Sequence, residues 1–96
     1  MLVVITYDVS TTSIKGTKRL RKVSKICQNY GVRVQNSVFE CVVDSTQLRE
    51  LKYQLIDIID ENEDSLIIYR LGDNYKKKVE HIGIKESLDV EGPLFI

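Results

Sequence analysis

The sequence predicts an α+β sandwich of order β-α-β-β-α-β, with two helices on one face of an antiparallel sheet. Three observations predict it. An apolar run, Leu2-Val3-Val4-Ile5-Thr6-Tyr7, opens the chain. Two later segments repeat apolar residues at spacings of three and four, as a helix with one buried face does. Between and after them lie short stretches in which apolar residues alternate or run together, as strands do.

The first strand covers residues 2–8 and ends on Asp8. Ser10-Thr11-Thr12-Ser13 is rich in residues that cap helices, because their hydroxyls accept from free backbone amides. The first helix should run from Ile14 to Asn29, with Leu20, Val23, Cys27 and Tyr30 as its apolar stripe and Lys18, Arg21, Lys22 and Lys25 opposite. Gly31 stands where a helix favours a left-handed residue to end on. Val32 to Val43 reads as one long strand, or as two strands joined by a bulge at Gln35-Asn36-Ser37, where the alternation loses phase.

Asp44-Ser45-Thr46-Gln47 resembles a capping box, an acceptor followed three residues on by Gln. The second helix carries Leu48, Leu51, Leu55, Ile58 and Ile59 on one stripe, then frays into Asp60-Glu61-Asn62-Glu63-Asp64. Ser65 to Leu71 is a further strand, closed by Gly72-Asp73. One or two short strands are expected near 79–84 and 92–95. This order fits a ferredoxin-like sandwich.

The first strand and Ser65–Leu71 are apolar on both sides, and strands of that kind need burial on both faces. Two helices cover only one. A homodimer packed sheet to sheet would cover the other, unless the tail folds back over it.

Ninety-six residues with 43% hydrophobic and 29% charged content describe one ordinary globular domain spanning 1–96, with 78–96 as a dimerisation tail. No apolar run approaches the roughly 20 residues that span a bilayer, so no membrane role is expected. The N-terminal apolar run lacks a basic lead and a small-residue cleavage site, and so reads as a strand rather than a signal peptide. Cys27 and Cys41 have no metal-binding spacing and read as buried thiols of a reduced, cytoplasmic protein.

Charge is the main functional clue. Lys and Arg number 14, as do Asp and Glu, so the chain is neutral overall. Yet residues 9–39 hold Lys15, Lys18, Arg19, Arg21, Lys22, Lys25 and Arg33 and no acid. Residues 44–64 reverse this, with seven acids against Arg49 and Lys52. Two solvated helix faces of opposite sign would give the same pattern. A nucleic-acid binder would use the basic block to hold phosphates.

Asp8, a lone acid at a strand tip before that block, suits a divalent cation acting on a phosphodiester. An acid ending a strand is more often a turn-former or helix cap. One carboxylate is a poor site by itself, because Mg²⁺ takes about six oxygens. A two-fold axis near the strand tips would bring two copies of Asp8 together. Tyr7, Ser10 and Thr11 lie close enough in sequence to orient a water, although Tyr7 alternates away from Asp8. His81 has no acid partner and reads as a surface residue. Lys76, Lys77 and Lys78 read more readily as a solvated turn than as a phosphate contact.

Three segments resemble the family of CRISPR-associated protein 2: Val3-Val4-Ile5-Thr6-Tyr7-Asp8-Val9 with its basic helix, Tyr30-Gly31-Val32-Arg33-Val34-Gln35-Asn36-Ser37-Val38-Phe39-Glu40, and Asp64-Ser65-Leu66-Ile67-Ile68-Tyr69-Arg70-Leu71. The resemblance spans residues 2–72 in order. It implies a ferredoxin-like homodimer whose paired Asp8 residues hold Mg²⁺ or Mn²⁺, with Tyr7, Arg33 and Phe39 also tied to nuclease activity. Arg19 and Arg21 match a basic pair on the first helix, and with Arg33 and Lys76 to Lys78 would grip nucleic acid.

The implied activity is metal-dependent cleavage of double-stranded DNA or single-stranded RNA, in spacer acquisition with the integrase, CRISPR-associated protein 1. Two other readings stay open: a non-catalytic scaffold dimer under duplex DNA, and a toxin-type small ribonuclease. The Pro93-Leu94-Phe95-Ile96 end could add a strand to the partner subunit's sheet.

Overall fold

A computed structural model describes residues 1–84. Its elements are β1 (Leu2–Asp8), α1 (Ile14–Tyr30), β2 (Val32–Gln35), β3 (Val38–Val42), α2 (Ser45–Ile58) and β4 (Ser65–Gly72). The strands form one antiparallel sheet in the order β2-β3-β1-β4. That order places β3 between the two strands joined by α1, which is the split arrangement of a ferredoxin-like fold.

Both helices start where capping chemistry dictates. The Ser13 hydroxyl accepts from the Gly16 amide at 3.1 Å. Asp44 accepts from the Gln47 amide at 2.7 Å, and the Gln47 side chain accepts from the Asp44 amide at 3.0 Å, completing the expected capping box. Gly31 ends α1 for a different reason than its position suggested. Its φ is −166°, extended rather than left-handed. What it supplies is room: a Cβ there would strike the Glu40 carbonyl oxygen and the Cys41 sulfur and Cα.

Residues 32–43 form two strands rather than one. Asn36 and Ser37 make a turn, and the register slips between Arg33 and Gln35. No strand forms over 79–84, where one was expected. Ile82 and Ile84 are 93% and 87% exposed there, and among the described residues they pair with no strand. The strand expected near 92–95, the Pro93–Ile96 end and most of the 78–96 tail lie outside the described residues.

The core sits between the helices and one sheet face. Val3, Ile5, Phe39, Cys41, Val23, Cys27, Leu51 and Leu55 are fully excluded from solvent. Both thiols are free, and burial pushes each up to about 12. Alternation along the strands turns Val4, Thr6 and Asp8 of β1 to the other face, with Ile67 and Tyr69 of β4 beside them in register. On that face Ile67 is 45% exposed, Tyr69 50% and Val42 37%. Among the described residues no helix packs on it, so the two-sided apolar pattern corresponds to a sheet face that neither helix covers.

Candidate nucleic-acid and metal site

Asp8 is the last residue of β1 and stands opposite Ser65, the first of β4. Its side chain is exposed and, among the described residues, forms no hydrogen bond or ion pair. Directly beside it, Asp64 is the opposite kind of acid. The Asp64 side chain has no solvent exposure. It accepts from the Ser10 amide (3.1 Å), the Asp60 amide (2.8 Å) and the Arg19 guanidinium through Nε (2.8 Å) and Nη2 (3.3 Å). The Arg19 hydrogen bond comes first among the forces holding the Asp64 carboxyl below its usual range, and the two amides add to it.

The segment after Asp8 is therefore fastened from two sides. Val9 is buried in the core and the Ser10 amide is held by Asp64. The Ser10 carbonyl packs so tightly on Gly16, in the first turn of α1, that any Cβ at Gly16 would collide with it. The Ser10 and Thr12 hydroxyls are 3.2 Å apart.

Tyr7, Arg33 and Phe39 come together, but not with Asp8. Arg33 and Phe39 face each other across β2 and β3, with the guanidinium carbon 5.3 Å from the ring centroid. Tyr7 stacks near Phe39, with centroids 6.2 Å apart and planes at 23°. Ser24 of α1 joins the group: its hydroxyl is 2.7 Å from the Tyr7 hydroxyl and accepts from Arg33 Nη2 at 3.1 Å. This cluster occupies the helix-side face and the β2 edge, whereas Asp8 belongs to the open face. The alternation of β1 separates Tyr7 from its neighbour in sequence, and the strand does not twist enough to undo it.

The predicted cations divide in the same way. Arg21 is exposed on α1 with Lys18, Lys22 and Lys25. Arg19 is not a free cation: its side chain is 15% exposed and committed to Asp64 and Glu63. Lys76, Lys77 and Lys78 follow β4, where Lys78 Nζ donates to the Leu71 carbonyl at 3.0 Å. Leu2 pairs with Gly72, so these lysines lie at the end of the sheet away from Asp8. Six steps along β1 at about 3.3 Å each put the two ends roughly 20 Å apart. His81 lines an open cleft beside the β2–β3 turn and approaches the Ile84 carbonyl at 2.8 Å.

Ser24 and Asp64 were missed by sequence reasoning. A signal for Ser24 existed, since it interrupts the apolar stripe between Leu20 and Cys27. Asp64 gave none, hidden in a run of acids and revealed only by partners 45 and 54 residues distant.

Among the described residues no three His, Cys, Asp or Glu side chains converge into a metal-binding group. The donor set of one chain is the free Asp8 carboxylate. It fits part of a Mg²⁺ shell, which takes about one or two carboxylates and is completed by water and phosphate oxygens. No helix among the described residues is long and apolar enough to cross a membrane.

Sheet order, helix placement and a free acid at the tip of the first strand define a ferredoxin-like α+β protein whose acid precedes a basic helix in sequence. The chain belongs to the family described as CRISPR associated protein Cas2, whose sequence model matches residues 1–79. It is 72% identical over 94 residues to the CRISPR-associated endonuclease Cas2 of Halalkalibacterium halodurans, covering 98% of each chain. It is 52% identical to the CRISPR-associated endoribonuclease Cas2 of Nitratidesulfovibrio vulgaris, covering 100% of this chain and 94% of that one. The crystal structure of Streptococcus pyogenes Cas2 at pH 6.5 superposes with a TM-score of 0.76 at 51% identity, covering 86% of this chain and all of that one.

Proposed function

We propose that this protein is a CRISPR-associated nuclease that cleaves phosphodiester bonds with Mg²⁺ or Mn²⁺, acting as a homodimer in the cytoplasm. One observation carries the reading: Asp8 is an exposed carboxylate with no partner among the described residues, and the helix that follows it in sequence carries only positive charges. Its relatives' names, endonuclease and endoribonuclease, support the reaction class.

Sheet-to-sheet pairing through Ile67 and Tyr69 would bring Asp8 towards Asp8 of the partner subunit. The two Asp8 carboxylates would hold a divalent ion, which would supply an activated water and neutralise charge on the phosphate. The chain's own residues do the rest. Arg21 and the neighbouring lysines attract the backbone. Arg33, held by Ser24 and Phe39, presents its remaining donors to a second phosphate. Tyr7 supports Ser24 from inside.

A scaffold role is favoured by a separate observation. Arg33 and Lys76 to Lys78 stand apart from Asp8, the lysines by most of the sheet's length. Contacts so dispersed suit a platform that carries a long duplex while the integrase acts on its ends in spacer acquisition.

Purified protein given labelled duplex DNA or single-stranded RNA, with either metal or with chelator, separates the two. Cleavage that needs metal and disappears in Asp8→Asn supports the nuclease. Salt-sensitive binding without cleavage, unchanged in Asp8→Asn, leaves only the scaffold.

A further inference from the structure

We infer that Arg19 and Asp64 form a positioning pair that holds the segment carrying Asp8, and that Arg19 does not contact nucleic acid. The inference deepens the nuclease reading and rests on it for the importance of Asp8.

Asp64 ties its own loop to two parts of the chain that are distant in sequence. Its two oxygens accept from Ser10, two residues beyond Asp8, from Asp60, in the loop after α2, and from Arg19 of α1. Asp64 also immediately precedes Ser65, the strand partner of Asp8. Asp8 is thus fixed through the backbone at both removes, by its pairing with Ser65 and by the anchored amide of Ser10. The Gly16 contact closes the remaining freedom of Ser10, since its carbonyl lies against a Cα with no space for a side chain.

Arg19 completes the charge of this arrangement. A carboxylate withdrawn from water needs a charged partner as well as amide donors. Arg19 supplies it with two nitrogens on Asp64, and one of them also reaches Glu63 at 3.3 Å. A guanidinium fork used in this way is not available to clasp a phosphate.

Four variants test the pair: Arg19→Ala, Arg19→Lys, Asp64→Asn, and Arg19→Ala with Asp64→Asn. Arg21→Ala serves as the comparison for an exposed cation. Duplex affinity is measured over a salt series in chelator. Single-turnover cleavage is measured at saturating nucleic acid below each variant's melting temperature, and amide exchange is followed at Ser10 and Asp60.

Arg19→Ala and Asp64→Asn are each expected to speed Ser10 exchange at least tenfold. They should slow cleavage by about 10- to 100-fold, the scale set by small misplacements of a reacting group. The double variant should be no worse than either single one. The salt slope stays at its wild-type value in all four, while Arg21→Ala flattens it by about 0.9 for each lost phosphate contact. Arg19→Lys keeps the charge and the fold, and should keep the wild-type slope while exchanging faster at Ser10.

A flattened slope in Arg19→Ala but not in Asp64→Asn would make Arg19 a phosphate ligand and overturn the pair. So would unchanged Ser10 exchange and cleavage in Asp64→Asn. Wild-type protein that cleaves nothing would sink the nuclease reading alone, because exchange and salt slope still decide whether the pair exists.

Discussion

Tyr7 and Asp8 are adjacent in sequence and serve opposite faces of the sheet. Tyr7 is 5% exposed and holds Ser24 with its hydroxyl, while Asp8 faces solvent with no partner among the described residues. The two substitutions should therefore fail differently. Asp8→Asn removes cleavage and leaves the melting temperature within about 2–4 °C, as expected of a surface change worth at most about 0.5 kcal/mol. Tyr7→Phe loses one hydrogen bond, about 1 kcal/mol, and loosens Arg33. Nucleic-acid affinity then falls more than the cleavage rate at saturation. Equal effects of both substitutions on that rate would return Tyr7 to the chemistry.

Acid sensitivity follows from Asp64. Its carboxyl lies below the ordinary 3.8, chiefly through Arg19. A depressed carboxylate contributes stability that is fully present above the unfolded value and is lost as pH falls through the folded one. The stabilisation should thus be complete at neutral pH and decline below about pH 4. Asp64→Asn should flatten this acid limb in thermal melts. Asp64→Ala, which strands the Ser10 and Asp60 amides, should cost about 1–3 kcal/mol for each orphaned donor at neutral pH. An unchanged acid limb in Asp64→Asn would contradict the assignment.

The fold was legible because its signals are local. Capping residues at Ser13 and Asp44, the stripe from Leu48 to Leu55 and the two-sided apolar strands each depend on neighbours a few positions away. The site was legible only in part, because its decisive contacts are long-range. Asp8 stood out as an isolated acid. Arg19 looked like its helix neighbours until Asp64, 45 residues on, was found against it. Arg33 and Phe39 were grouped with Asp8, although strand alternation assigns them to the other face.

Both cysteines should be chemically silent in the folded protein. Burial pushes each thiol to about 12, so almost no thiolate forms at neutral pH. A disulfide-exchange reagent should titrate neither thiol under native conditions and both in denaturant. Rapid native labelling of Cys27 or Cys41 would place it outside the core.

Gly31→Ala should destabilise the protein by about 1–3 kcal/mol, as overpacking does, lowering the melting temperature by roughly 4–8 °C per kcal/mol. The cost comes from collision of the added methyl with Glu40 and Cys41, since the backbone there is extended and open to any residue. Gly72→Ala would differ in kind: its φ is +78° and the space around it is empty, so only backbone strain opposes the methyl. A Gly31→Ala protein as stable as the wild type would show that β3 can retreat from the helix end.

The open sheet face makes a prediction about assembly. Ile67, Tyr69 and Val42 expose apolar surface on one face, and Ile82 and Ile84 extend into solvent nearby in sequence. Single-domain proteins seldom leave such a contiguous patch uncovered. Replacing Ile67 and Tyr69 together with Lys would put like charges across the proposed two-fold interface. Sedimentation should report a dimer for the wild type and a monomer for the variant. Its secondary structure should be intact, because neither side chain contributes to the helix-side core. If Asp8 works only in pairs, the monomer loses cleavage while keeping the salt-dependent attraction of the α1 cations for nucleic acid. A variant that is monomeric and still cleaves at the wild-type rate would detach the reaction from the dimer and leave each Asp8 to act alone.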